Sequence, residues 1–230
     1  PSLIIILVVR ILRPWVHIRF GPIRSDVLGA SLQVSEFYLS SRDLNPEKFV
    51  DFFYFRSNPP NKQWELMIKR QLKVSQFFRY VDRINLLIPG GVNHHANMTG
   101  YCRGYQRDLD GVYAQTKPHI SFSELENKKG YEFLNKIGLS NEDKYVCLII
   151  RDKAYKTKYF PTLPEEDTTY RNSDQDNYIP SVKYLLEKGY WVFRMGKLAE
   201  KPLKVNHNKF FDYAFNDAKN DFLDILLQHT

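Results

Sequence analysis

The chain has 230 residues, which at a typical domain size of about 150 leaves room for one large domain or two small ones. With 43% hydrophobic and 26% charged residues it has the make-up of a folded protein, which excludes wholesale disorder, a collagen-like repeat and a polytopic membrane protein. The net charge of +7 is uneven: residues 1–115 carry 15 Lys and Arg against 9 Asp and Glu, residues 116–230 carry 18 against 17. A basic half favours phosphate-rich partners, meaning nucleic acid, anionic lipid or a nucleotide, without choosing among them.

The chain opens on Pro1 rather than Met, so an upstream portion is expected, and residues 3–9 (LIIILVV) form an apolar run followed by Arg10 and Arg13. Seven apolar residues fall far short of the roughly 20 that span a bilayer. The run reads as the end of a truncated anchor, as an interfacial helix with its arginines at lipid headgroups, or as an apolar element packed on the domain. Residues 15–21 alternate and stop at Gly-Pro, which predicts a strand; helical spacing follows around 27–37. Residues 49–55 predict a second strand, and Trp64, Met67, Ile68 and Leu72 recur at helical spacing. Residues 89–118, with Gly90, Gly91, Gly100, Gly104 and Gly111, read as a long irregular connection.

Ser123 and Glu126 stand at capping-box spacing before an amphipathic helix through Tyr131, Leu134 and Ile137 that closes at Gly138. Residues 145–150 (YVCLII) predict a buried parallel strand broken by Arg151-Asp152. A polar loop over 153–176 leads to a helix with Pro180 in its first turn and Gly189 as its stop. Residues 190–195 (YWVFRM) predict a further strand ending at Gly196, residues 210–214 a short one, and residues 222–227 a final helix. Alternating strands and helices predict an α/β fold with mostly parallel sheets, whose ligands bind beyond the carboxyl ends of the strands. The predicted divisions are a hydrophobic segment over 1–14, an N-terminal lobe over 15–118 and a second lobe over 119–230.

The phosphate-loop, dinucleotide, zincin and α/β-hydrolase motifs are absent. Two Asp-x-Asp triplets, Asp108 with Asp110 and Asp174 with Asp176, read as solvated loops or helix caps in preference to metal ligands, since neither directly follows an apolar strand. His94-His95 reads as an exposed loop pair, with no carboxylate or Cys at a supporting short spacing. Asn97-Met98-Thr99 fits the glycosylation sequon, which matters only in a secreted protein. Two cysteines, Cys102 and Cys147, are too few for a disulfide framework; they suit a reducing compartment, with Cys147 buried.

The informative constellation is Arg151-Asp152 after one strand, residues 170–174 (YRNSD) before the next helix, and Arg194 with Gly196 at the end of the following strand. All are expected at one sheet edge. There, arginines near a helix N-terminus suit a pyrophosphate, with Arg151 the first choice. The alternative is an internal ion pair, such as Arg151 with Asp174, that merely fixes the loop.

VCLIIRDKAY, TTYRNSDQDNYIPSVKYLLEKGYWVFRMG and VHIRFGPIRSDVLG together resemble a family of bacterial glycosyltransferases from surface-carbohydrate gene clusters, across nearly the whole chain. The resemblance implies a GT-B type fold: an acceptor-side N-terminal Rossmann-like lobe and a nucleotide-sugar-binding C-terminal lobe, with no bound metal or other cofactor. A more distant likeness to fucosyltransferases implies that Arg151 contacts the donor pyrophosphate, supported by Arg171 and Arg194. Tyr155, Tyr170, Asn172, Ser173 and Gly196 would contact the donor or support its loops, and Arg19, Gly21 and Arg24 would lie on the acceptor side. Asp152 or Asp174 would be the base. The family continues past Thr230, so the C-terminal lobe is expected to be incomplete. The implied partners are a nucleotide sugar and a glycan or lipid-linked glycan, at the inner face of the cell membrane. The rival readings are an inactive truncated fragment and a basic nucleic-acid-binding module, the latter disfavoured because the cations form no Lys/Arg-rich run.

Overall fold

Two short parallel sheets organise the chain, one in each of the units Pro1–Phe122 and Ser123–Thr230. The computed structural model describes residues 2–46, 49–98, 108–162 and 169–229; Gly100, Gly104, Cys102 and Thr99 lie outside them.

In the first unit the order is α1 (Ser2–Leu12), β1 (His17–Ile23), α2 (Leu28–Leu44), β2 (Phe49–Phe55), α3 (Lys62–Gln71), α4 (Phe77–Leu86), a 3-10 turn at Gly91–His94 and α5 (Val112–Gln115). Strands β1 and β2 pair in parallel from His17↔Phe49 to Ile23↔Phe55. Side chains alternate across a strand, so Phe20 and Phe52 face one way and meet Phe78 of α4, with Ile6 and Val9 of α1 in the same cluster. Phe53 and Phe55 face the other way, against Tyr38 of α2 and Trp64 of α3, at ring distances of 5.2 and 5.5 Å. Helices thus cover both faces. That arrangement explains why residues 49–55 are a nearly unbroken apolar run.

The strand expected to stop at Gly-Pro runs on through Pro22 to Ile23. Main-chain polar groups alternate sides along a strand. Ile23 O accepts from Arg56 N beyond β2, whereas Phe20 O accepts from Ala96 N on the opposite side. Pro22 shares the side of Phe20, away from β2, so its missing N–H breaks no bond of the β1–β2 ladder. Gly21 has a separate reason: a Cβ there would lie 1.8 Å from Ala96 O. The helix around 27–37 is longer than its spacing indicated, and α4 lies where no element was expected. Within segment 1–14, Ser2–Leu12 is a helix packed through Ile6 and Val9, its other face exposed; among the described residues no helix is long and apolar enough to cross a membrane.

In the second unit the order is α6 (Glu124–Lys136), β3 (Tyr145–Ile149), α7 (Ala154–Tyr159), 3-10 turns at Thr169–Arg171 and Gln175–Tyr178, α8 (Ile179–Glu187), β4 (Trp191–Met195), β5 (Phe210–Phe211), a 3-10 turn at Tyr213–Phe215 and α9 (Asp221–His229). The capping box forms as its spacing predicts: Ser123 N donates to Glu126 Oε2 at 2.7 Å and Glu126 N to Ser123 Oγ at 3.4 Å. The sheet order is β3-β4-β5, all parallel, with every residue of β4 buried. Strand β3 is at the edge and only half-buried, with Ile149 exposed, so the apolar run 145–150 overstates its burial. Cys147 donates to Leu227 O, and burial pushes its thiol pKa up to about 11.

The strand expected over 210–214 covers two residues. Tyr213 turns away to donate to Asp224 Oδ1 at 2.7 Å and accept from Asn220 N at 3.0 Å, which starts a turn in place of a ladder. The polar loop over 153–176 contains α7, begun by an Asp152 bond described below. The molecule is therefore mixed α/β, with parallel sheets of two and three strands, each smaller than a full Rossmann-like lobe.

Replacing Gly21 with Ala is expected to destabilise the protein by about 2 kcal/mol or more, through forced separation of β1 from Ala96. Urea denaturation measures this; an unchanged midpoint would contradict the close approach.

Candidate functional site

The carboxyl ends of β3 and β4 lie side by side in the parallel sheet, and the residues that follow them build the candidate site. Arg194, the fourth residue of β4, is 0% exposed. Its Nη1 donates to Asp212 Oδ1 at 3.2 Å and Lys201 O at 3.3 Å, and its Nη2 to Gln175 Oε1. Asp152 Oδ2 stands 4.0 Å away, and the Phe215 ring centroid 5.5 Å from the guanidinium carbon. A buried charge requires such partners, and here they come from four separate stretches of chain.

Asp152 is nearly as buried. Its Oδ1 accepts from Ala154 N at 3.0 Å, which starts α7, and its Oδ2 from Glu200 N at 2.9 Å. Asp212 Oδ2 accepts from Leu203 N at 3.0 Å. The cluster therefore holds down the loops after β3, β4 and β5. Arg194 Nε, Gln175 Nε2 and Asn172 Oδ1 are buried without a hydrogen-bond partner. Arg194 thus differs from the expected ligand-facing arginine: it ends the buried central strand, and the surrounding loops enclose it.

Arg151 is placed differently. It is partly exposed, and its guanidinium makes no hydrogen bond or ion pair among the described residues. Its carbonyl accepts from Ser173 N at 2.9 Å, which draws residues 169–173 alongside. In that turn Arg171 is exposed, with Nε on Tyr170 Oη at 3.0 Å and its guanidinium 5.3 Å from the Tyr170 ring. The alternative Arg151–Asp174 ion pair does not form. Asp174 Oδ1 accepts from Asp176 N at 3.1 Å as a turn cap, and its cation is Lys201 at 3.8 Å. Lys201 also binds Asp176 Oδ2 at 2.6 Å.

Around Arg151, α7 adds Lys156 and Lys158, and Tyr155 packs on Tyr159 at 4.7 Å between ring centroids. Gly196 has φ 151°, a conformation that excludes other residues, and it leads into an open cleft of about 410 Å³ lined by Leu198, Ala199, Ala214, Phe215, Asn216 and Lys219. Arg151, Arg171, Asn172 and Ser173 are thus brought together, while Asp152 and Arg194 lie in the scaffold beneath them. An accessible arginine at a strand terminus is suited to an oxyanion.

The first unit treats its candidates similarly. Arg19 is buried, with Nε and Nη2 each 2.8 Å from the two oxygens of Asp51. Arg42 Nη1 meets Asp51 Oδ2 at 2.8 Å, Tyr38 Oη donates to the same oxygen, and the Arg19 guanidinium lies 3.7 Å from the Phe49 ring centroid. Gly21 is inside β1. Arg24 remains partly exposed and is bonded to Asp26 at 2.8 and 3.2 Å, which holds that carboxyl below its usual range.

His94-His95 is not an exposed pair. His94 is buried, with Nδ1 2.7 Å from Ile18 O, and burial lowers its pKa. His95 Nδ1 lies 2.9 Å from Asp82 Oδ1, and Tyr54 Oη donates to Asp82 Oδ2 at 2.9 Å. Burial, then the charge and hydrogen bond of Asp82, push Tyr54 up to about 12. Sequence spacing missed this Asp–His pair because the carboxylate comes from α4, 13 residues earlier. Asp108 caps α5, accepting from Val112 N at 2.7 Å and Tyr113 N at 3.1 Å. Among the described residues no group of three or more His, Cys, Asp or Glu side chains is arranged to hold a metal.

No protein-family model, curated protein or solved structure matches this chain.

Arg194→Ala is expected to cost about 3 kcal/mol of stability because it strands Asp152, while Arg151→Ala changes stability by less than about 0.5 kcal/mol. Urea denaturation of both variants checks the division between scaffold and open site; equal losses would contradict it.

Proposed function

We propose that this protein is a glycosyltransferase of GT-B type. It moves a sugar from a nucleotide diphosphate donor to a surface-glycan acceptor, lipid-linked, at the cytoplasmic face of the membrane. The observation that carries the reading is Arg151: a partly exposed guanidinium at the carboxyl end of β3, unpaired among the described residues, with Arg171 in the adjoining turn. The resemblance of the segments around these residues to glycosyltransferases supports the same assignment.

In the reaction the bond between the anomeric carbon and the diphosphate oxygen breaks, and its electron pair goes to that oxygen. An acceptor hydroxyl forms the new bond to carbon and gives up its proton. Negative charge therefore grows on the leaving diphosphate, and a guanidinium beside it stabilises it more than it stabilises the ground state. Arg151 fills that role, with Arg171 as a second cation on an exposed turn. Of the two carboxylates considered as base, Asp174 is the open one; both oxygens of Asp152 already accept main-chain N–H groups. Tyr155 and Tyr170 offer aromatic faces beside the cations, suited to a nucleobase or a sugar ring.

The test is release of nucleoside diphosphate from a panel of GDP-, UDP-, ADP- and dTDP-sugars in the presence of EDTA. One donor family is expected to turn over, with Arg151→Ala lowering kcat/KM about 100-fold. Turnover equal in the variant would remove Arg151 from the site, and no turnover with any donor would reject the proposed activity.

A further inference from the structure

The outer face of α1 is more apolar than a water-facing helix surface should be. Ile6 and Val9 pack against Phe20 and Val81. On the opposite side Leu3, Ile4, Leu7, Val8 and Ile11 are exposed, Ile4 by 67% and Ile11 by 68%, with no polar residue among them. A helix at a protein surface ordinarily reverses this pattern, apolar inward and charged outward.

The patch continues beyond the helix. Trp15 follows at 76% exposure, and the 87–93 turn adds Leu87 at 83% and Val92 at 76%. That turn is fastened beside α1 by Arg10, whose Nη1 donates to Pro89 O at 2.8 Å, and beside β1 by His17, whose Nε2 lies 2.7 Å from Asn93 O. Large contiguous apolar surface of this kind marks an interaction site.

Charge selects the partner. Arg13 follows α1 and Arg83 lies in α4, whereas Arg19 and Arg24 do not contribute, being bonded to Asp51 and Asp26. Arg13 and Arg83 are exposed. Asp82 of α4 is fully buried against His95 and Tyr54. An apolar helix face with an exposed Trp and Arg at its end matches the boundary of an anionic bilayer: aliphatic side chains among the acyl chains, indole and guanidinium at the headgroups.

We infer that the outer face of α1, with Trp15, Leu87 and Val92, is the surface on which this protein docks to an anionic lipid bilayer. The helix lies in the plane of the interface, and its inner face stays on the sheet. The inference rests only on the membrane placement within the proposed function, because vesicle binding succeeds or fails independently of nucleotide-sugar turnover.

The experiment is co-sedimentation of the full chain with vesicles of phosphatidylcholine alone or mixed with phosphatidylglycerol, alongside tryptophan fluorescence. Trp64 and Trp191 are buried, so a blue shift on binding reports Trp15. The expected result is binding to the anionic vesicles with a blue shift, weaker binding to neutral ones, and a loss of about 100-fold in partitioning for the double variant Ile4→Asp, Ile11→Asp. Both sites are exposed, so the variant should keep the circular dichroism spectrum and melting temperature of the parent. Wild-type protein left in the supernatant, or partitioning unchanged in a folded double variant, would overturn the inference. So would a dimer in size-exclusion chromatography that the same substitutions dissociate, since a second copy would then own the face.

Discussion

A guanidinium shut away from water is stable only when the chain around it supplies acceptors and countercharge; Arg194 finds acceptors in Gln175, Lys201 and Asp212, and a second carboxylate, Asp152, at 4.0 Å. Those residues belong to the segments that follow β3, precede α8 and follow β4 and β5. The loops at the carboxyl edge of the second sheet are therefore fixed by one side chain in its central strand. Asp152, held in this cluster, directs the chain into α7 and leaves its neighbour Arg151 at the rim. The open cation and the buried one belong to the same arrangement: Arg194 answers the scaffold's carboxylates, and among the described residues Arg151 pairs with none.

The first unit uses a buried charge of the opposite sign. Asp51 of β2 collects Arg19 from β1 and both Arg42 and Tyr38 from α2, tying the two strands to the helix between them. Removing either central charge would leave its partners uncompensated in a region of low dielectric, a larger penalty than the net value of any one bond. Both clusters are structural in geometry. What they leave exposed differs: a cationic edge in the second unit, an apolar helix face beside cations in the first.

Much of this organisation was legible in the sequence. Period-2 and continuous apolar runs located β1 to β4, and Ser123 with Glu126 located the start of α6, because strand alternation and capping are local effects. The edge position of β3 was not legible, since an apolar run such as YVCLII reads alike at the centre and the edge of a sheet. The divergent fates of Arg151 and Arg194 were also hidden. Both were expected at one sheet edge, and only tertiary packing turns one into a core residue. The Asp82–His95 pair escaped for the same reason, its members being joined through α4 and a turn. Gly21 was legible as a special residue but for another reason than the one assigned, namely the passage of Ala96 within contact of β1.

The central claim is that Arg151 is the open anion-binding group of an edge held in place by Arg194. Isothermal titration calorimetry with UDP, GDP, ADP and dTDP in EDTA tests it most directly, using the parent chain and Arg151→Ala at matched folded fractions. The account predicts that one nucleoside diphosphate binds the parent and binds Arg151→Ala about tenfold or more weakly, a loss of about 1.4 kcal/mol. Equal affinity for the two proteins, or no binding by the parent, would contradict it.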